Sequence, residues 1–210
     1  MFGFGKPTTL PTPDQALRGR DEQPWQLGEH VVLKTPVVSD EVPEGHEVAV
    51  FGLGCFWGAE EIYWQVPGVW STSVGYAGGS TPHPTYEEVC SGKTGHTEAI
   101  RLVFDPAVVS FADLVKRFFE IHDPTEVDRQ GPDIGTQYRS AVFITSPQQR
   151  AAIKDLTGKL EANGYAVATT VLDAGKFWLA EDYHQDYYAR THKTPYCHGP
   201  VPRFDRPAKS

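Results

Sequence analysis

The sequence predicts an α+β domain: a compact two-layer mixed sheet with helices, carrying irregular N- and C-terminal extensions. Three observations predict it. Apolar runs of strand length recur between segments of helical period, but without a repeating strand–helix order. Six of the 17 prolines lie within the first 43 residues, where few apolar residues show any period. Four more prolines fall between Pro195 and Ser210, again without a pattern. The chain therefore divides into an extended arm over 1–45, a folded domain over 46–198 and an irregular tail over 199–210.

The elements follow from local pattern. His46 to Leu53 reads as a buried strand ending at Gly54. Cys55 to Val66 reads as a helix stopped by Pro67-Gly68. Val69 to Ala77 is a second strand, and Gly78 to Gly95 a long loop. Thr97 to Phe104 is a third strand, with Ala99, Leu102 and Val103 set against Glu98 and Arg101. Ser110 to His122 is a helix with Phe111, Leu114, Val115, Phe118 and Phe119 on one side; Ser110 with Asp113 three residues on forms its start signal. A second long loop runs from Asp123 to Arg139. Then come a strand over Ala141–Thr145, a helix over Pro147–Asn163 ending at Gly164, a strand over Ala168–Leu172 and a helix over Ala180–Thr191. Long loops in a compact domain are usually functional, and these two are rich in polar and aromatic residues.

Composition narrows the class. A formal net charge of −8, with no basic tract, argues against general nucleic-acid or anionic-membrane binding. No apolar run of about 18 residues offers a membrane span. Met1 to Arg20 lacks the apolar core of a secretory signal, so a cytoplasmic protein is expected. Three cysteines, an odd number, argue against a disulfide framework. The eight histidines show no metal-ligand spacing; His184 and His192 lie eight apart with nothing converging on them. No phosphate-binding glycine loop follows a strand, so neither metal nor nucleotide cofactor is expected.

The strongest local signal is Gly52-Leu53-Gly54-Cys55-Phe56-Trp57-Gly58, a cysteine between a buried strand and a helix. Free N–H groups and partial positive charge at a helix N-terminus stabilise a thiolate. A small buried hydrophobe is the equally weighted alternative on position alone. The string Gly54-Cys55-Phe56-Trp57-Gly58 resembles the signature of A-type peptide methionine sulfoxide reductases. So do Gly75-Tyr76-Ala77-Gly78-Gly79, Pro84-Thr85-Tyr86, Val89-Cys90-Ser91-Gly92, Thr94 to Ala99, His122-Asp123-Pro124, Asp128 to Gly131, Asp133, Gly135 to Ser140, and Ala180-Glu181-Asp182 with His184-Gln185. The resemblance covers roughly residues 46–198, and residues 1–45 are expected to have no counterpart in the family.

The resemblance implies a ferredoxin-like plait and reduction of the S epimer of methionine sulfoxide in peptides and as the free amino acid, hence repair of oxidised proteins. That reaction needs a nucleophile, a proton donor and a pocket separating methyl from oxygen. Cys55 is the expected nucleophile. Glu98 is the expected donor; a lone strand glutamate would otherwise read as solvated, and the family match reverses this. Tyr86 and Tyr138 can donate O–H bonds to the developing oxyanion. Asp133 orders its loop or a water, with a plain loop cap as the even alternative. Phe56 and Trp57, by resemblance, cage the substrate methyl. After one turnover Cys55 is a sulfenic acid. By resemblance Cys197, in a Pro- and Gly-rich tail, resolves it; Val201 to Ser210 holds no later cysteine, which favours a single Cys55–Cys197 disulfide. Cys90 is expected to be structural. The implied partners are oxidised peptide substrate and thioredoxin, or a mycothiol- or glutathione-linked reductant, for a monomeric enzyme. A cysteine hydrolase using His96 or His122, and a redox-sensing disulfide switch, are the competing readings.

Overall fold

The computed structural model describes residues 9–37, 42–196 and 198–205. In chain order its elements are β1 (Glu47–Leu53), α1 (Phe56–Trp64), β2 (Val69–Ala77), α2 (Tyr86–Cys90), β3 (Thr97–Phe104), α3 (Phe111–Ile121), β4 (Arg129–Gln130), β5 (Asp133–Ile134), β6 (Ser140–Ile144), α4 (Pro147–Ala162), β7 (Thr170–Asp173), β8 (Trp178–Leu179) and α5 (Tyr187–Thr191). Six strands form one mixed sheet in the order β7-β6-β1-β3-β2-β8, and β4 and β5 pair separately. The inner four, β6-β1-β3-β2, are antiparallel neighbours with helical crossovers α1 and α3, the ferredoxin-like arrangement. Only β6 and β7 pair in parallel, joined by the crossover helix α4.

Period-two alternation assigns the faces. Ala49, Phe51 and Leu53 of β1, Ile100, Leu102 and Phe104 of β3, and Val142 and Ile144 of β6 pack against the helices. From the helix side come Ala59 and Tyr63 of α1, the whole predicted apolar stripe of α3, and Ile153, Leu156 and Leu160 of α4. Val50, Ala99, Ala141 and Phe143 face the other way, where Val37, Phe177, Leu179 and the partly buried Leu27 cover them. That second face has no helical layer; irregular chain, including the arm, shields it.

Several expectations need correction. The Gly78–Gly95 loop contains α2, started by a Thr85–Glu88 capping box. The 123–139 loop contains the β4–β5 pair and a short 3₁₀ turn, Thr136–Tyr138. The predicted helix Ala180–Thr191 does not form. A 3₁₀ turn, Asp182–His184, is cut off from α5 by Asp186, whose φ of 54° is left-handed. In β3, Arg101 is buried rather than solvated, because both sheet faces are covered; Glu98, expected as the proton donor, is buried too.

The arm lies on the loops that build the site. Arg20 makes a two-point contact with Glu88 of α2, at 2.7 and 3.0 Å, and donates to the His83 carbonyl. The tail is irregular but docked: Arg203 is buried and donates to the Phe119 carbonyl at 3.0 Å.

Candidate active site

The strand alternation that buries Ile100 and Leu102 places Glu98 on the helix side of the sheet. There it pairs across to Tyr76 of β2 and lies under the start of α1. Gly54 turns the chain from β1 into α1 with φ +93°. A Cβ at Gly54 would stand 2.7 Å from that of Gln130, so the position needs glycine for both dihedral and space.

Cys55 is the N-cap of α1, buried, and makes no side-chain cap bond. The first free amide of the helix, Phe56 N–H, donates instead to Glu98 Oε2 at 3.2 Å. A nucleophilic sulfur and a carboxyl group therefore converge on one helix N-terminus. Glu98 is 2% exposed, and such burial disfavours the charged form of a carboxyl.

Two phenols close this space. Burial, and then the neighbouring Glu98 carboxyl, push the Tyr86 hydroxyl far above the ordinary phenol range. The same two causes raise Tyr138, with Cys90, Asp133 and Cys55 adding smaller contributions. Both hydroxyls thus stay protonated and remain hydrogen-bond donors. Asp133 sits on β5, with the Tyr196 hydroxyl 3.5 Å from its Oδ2. Phe56 stacks parallel to Tyr86, with 6.5 Å between centroids. Cys55, Phe56, Trp57, Tyr86, Glu98, Asp133 and Tyr138 are thus brought together; Cys197 lies outside the described residues. Cys90, one helical turn along α2, hydrogen-bonds Tyr86, so it borders the site.

Three contributors had no role assigned from the sequence, although Glu181 and His184 stand in one of its motifs. His184, expected only not to bind metal, has the rings of Phe56, Trp57, Tyr86 and Tyr183 packed on it. The Trp57 indole N–H donates to His184 Nδ1 at 3.0 Å, and burial lowers this imidazole to about 4. It is a neutral ring with its proton on Nε2. Tyr187 stacks on Trp57 at 3.8 Å. Glu181 accepts from the Tyr86 amide and the Tyr76 hydroxyl, both at 2.8 Å, and so fixes α2 against β2.

Among the described residues, His30, Glu60 and Asp186 bring three possible metal-ligand atoms within 4.8 Å. Their own contacts knit them together. His30 Nδ1 is 2.8 Å from Asp186 Oδ1, and His30 Nε2 is 2.7 Å from the Thr72 hydroxyl. Thr72 donates to Glu60 Oε1 and the Asp186 amide to Glu60 Oε2. This strut joins the arm to α1 and to the turn that aims Tyr187. Burial, and then Asp186, hold the Glu60 carboxyl well above its usual range. A raised acid contributes stability below its unfolded value, and loses it as pH climbs through the folded one. Glu60→Gln keeps both contacts if its oxygen accepts from Asp186 and its amide donates to Thr72. The variant should gain melting temperature over wild type as pH rises, by about 2–4 °C at pH 8. A difference that stays flat between pH 5 and pH 9, on the order of that window, would refute the protonated Glu60.

Fold and site together are those of a cysteine-centred enzyme of the α+β class. Residues 47–209 match the family model described as peptide methionine sulfoxide reductase. The peptide methionine sulfoxide reductase MsrA of Azorhizobium caulinodans is 51% identical over 195 residues, covering 90% of this chain and 89% of the relative. The solved methionine sulfoxide reductase A of Corynebacterium diphtheriae is 39% identical with a TM-score of 0.79, covering 90% and 94% of the two chains. Reduced Mxr1 from Saccharomyces cerevisiae is 30% identical with a TM-score of 0.73, covering 79% and 99%. The chain belongs to the peptide methionine sulfoxide reductase family, of the MsrA type that reduces the S-sulfoxide. Coverage of 90% exceeds what residues 46–210 can supply, so the similarity extends into the arm, which corrects the expectation that it has no counterpart in the family. Among the described residues no helix is long and apolar enough to cross a membrane.

Proposed function

We propose that Cys55 attacks the sulfur of methionine sulfoxide while Glu98 protonates its oxygen. The observation that carries this is the convergence of both residues on the first turn of α1, through the Phe56 N–H to Glu98 contact. The sulfoxide oxygen gains negative charge as its bond to sulfur weakens. Tyr86 and Tyr138, neutral donors beside Glu98, support that charge. Phe56 and Trp57, braced by His184 and Tyr187, form the apolar wall for the methyl group. Asp133 orders the loop beside Tyr138. Oxygen passes to Cys55, giving a sulfenic acid and releasing methionine.

Recycling then needs a second thiol, and we assign it to Cys197. Its sulfur attacks the Cys55 sulfur, the S–O bond breaks, and the hydroxide leaves as water by taking the thiol's proton. The resulting Cys55–Cys197 disulfide is reduced by an external dithiol. Yeast Mxr1 has been solved in complex with Trx2, which supports thioredoxin as that reductant. The same chemistry serves peptide-bound and free methionine sulfoxide in the cytoplasm, and so repairs oxidised proteins.

Cys197→Ser tests the recycling assignment. Small thiols such as dithiothreitol reach a sulfenic acid directly, so turnover with them should persist at a reduced rate. Thioredoxin attacks disulfides, so its support should fall by about 10²-fold or more. Wild-type turnover of the variant with thioredoxin would show that Cys90 or an outside thiol resolves Cys55.

A further inference from the structure

The docked tail ends the helix α3. That helix leaves its last carbonyls without intrahelical partners. Phe118 O meets His122 Nδ1 at 2.6 Å, and Phe119 O accepts from Arg203. Glu120 O accepts from the Val201 amide at 2.7 Å and from Arg203 at 3.2 Å. Ile121 O faces His198 Nδ1 at 3.2 Å. Three of these four carbonyls are thus served by residues of the tail, which also place positive charge at the negative end of the helix dipole.

His198 does more than cap α3. Its other ring nitrogen, Nε2, lies 2.9 Å from the carbonyl oxygen of Cys55. The ring sits over the Gly54 turn, 3.9 Å from where a Cβ there would stand. Both partners are backbone carbonyls, which only accept. A neutral imidazole has one N–H and satisfies one of them; the imidazolium satisfies both. On the other side of position 197, the Tyr196 hydroxyl contacts Asp133. The two residues flanking Cys197 in sequence are therefore both held at the site.

We propose that His198, with one ring nitrogen facing the Ile121 carbonyl and the other the Cys55 carbonyl, is the positioning residue for recycling. It bridges the end of α3 to the N-cap of α1 and holds the chain beside Cys197 against Cys55. The sulfenic acid then meets its partner thiol without a search by the tail. This rests on the assignment of Cys197 as the resolving thiol. His198 touches the Cys55 carbonyl, not its sulfur, so the sulfoxide step is independent of it.

The test is a single turnover followed by quench, reading methionine released and thiols lost, in wild type, His198→Ala, His198→Gln and Cys197→Ser. The methionine burst should be equal in wild type and both His198 variants. Loss of the second thiol should slow about tenfold or more in His198→Ala, and less in His198→Gln, which keeps one donor. Equal slowing of burst and second-thiol loss would mark a merely structural role and overturn the proposal. So would second-thiol loss at the wild-type rate in His198→Ala while Cys197→Ser stops at one thiol. Loss of two thiols in Cys197→Ser would overturn the recycling assignment itself.

Discussion

Cys55→Ser is expected to lose sulfoxide reduction with every thiol donor, by more than about 10³-fold, while remaining folded. The N-cap position makes this a clean test. Serine is among the preferred N-cap residues, and Cys55 makes no cap bond that serine would forfeit. The variant's melting temperature should therefore equal or exceed that of wild type. Chemistry is what serine cannot supply. Its hydroxyl stays protonated where a thiol at a helix N-terminus ionises. Attack on the sulfoxide would also have to leave oxygen bonded to oxygen rather than to sulfur. Measured with dithiothreitol, residual activity near wild type would remove Cys55 from the mechanism. Cys90, beside Tyr86, would then be the thiol to examine.

Much of the fold was legible because its signals are local. β2 and β3 run over the residues that alternation and turn chemistry mark out, and the helix over 147–162 ends one residue short of its predicted stop. The Ser110–Asp113 start signal forms a capping box as read. The Thr85–Glu88 box was equally visible, but a five-residue helix among Gly, Pro and Ser is hidden by its surroundings. The break at Asp186 was not legible. Its left-handed backbone is held by Glu60 and by the arm residues His30 and Val31, more than a hundred positions away. No local pattern carries such a contact.

The candidate site divides the same way. Cys55, Glu98, Tyr86, Tyr138 and Asp133 sit in motifs whose residue types suit the chemistry. His184 and Tyr187 owe their places to stacking on Phe56 and Trp57, which tertiary packing alone creates. His184 stands in a motif of the family, but nothing in the local sequence shows the aromatic company that gives its ring a role. The burial of Glu98 comes from tertiary packing too: it lies on the helix side of the sheet, under the start of α1, and only the folded chain brings that helix over it.

Glu98→Gln bears on the step that separates proton donation from binding. Glutamine fits the same space, and its side-chain oxygen can still accept from the Phe56 amide that Glu98 Oε2 holds at 3.2 Å. The first turn of α1, and with it the pose of Cys55, should be preserved. What is lost is the transferable proton. The sulfoxide oxygen cannot leave sulfur as a bare oxide, and the neighbouring phenols are poor substitutes. Burial and the nearby carboxyl hold Tyr86 and Tyr138 above the ordinary phenol range, so they donate hydrogen bonds without giving up protons. Removing a positioned general acid costs about 10²–10⁴-fold, and that loss should fall on kcat with little change in KM. Part of the rate should return as pH is lowered and solvent protons replace the missing group. Rapid-quench measurement of the methionine burst isolates this step from recycling. A burst as fast as wild type would show that water or a tyrosine supplies the proton. A large rise in KM with kcat unchanged would instead make Glu98 a binding group for the sulfoxide oxygen.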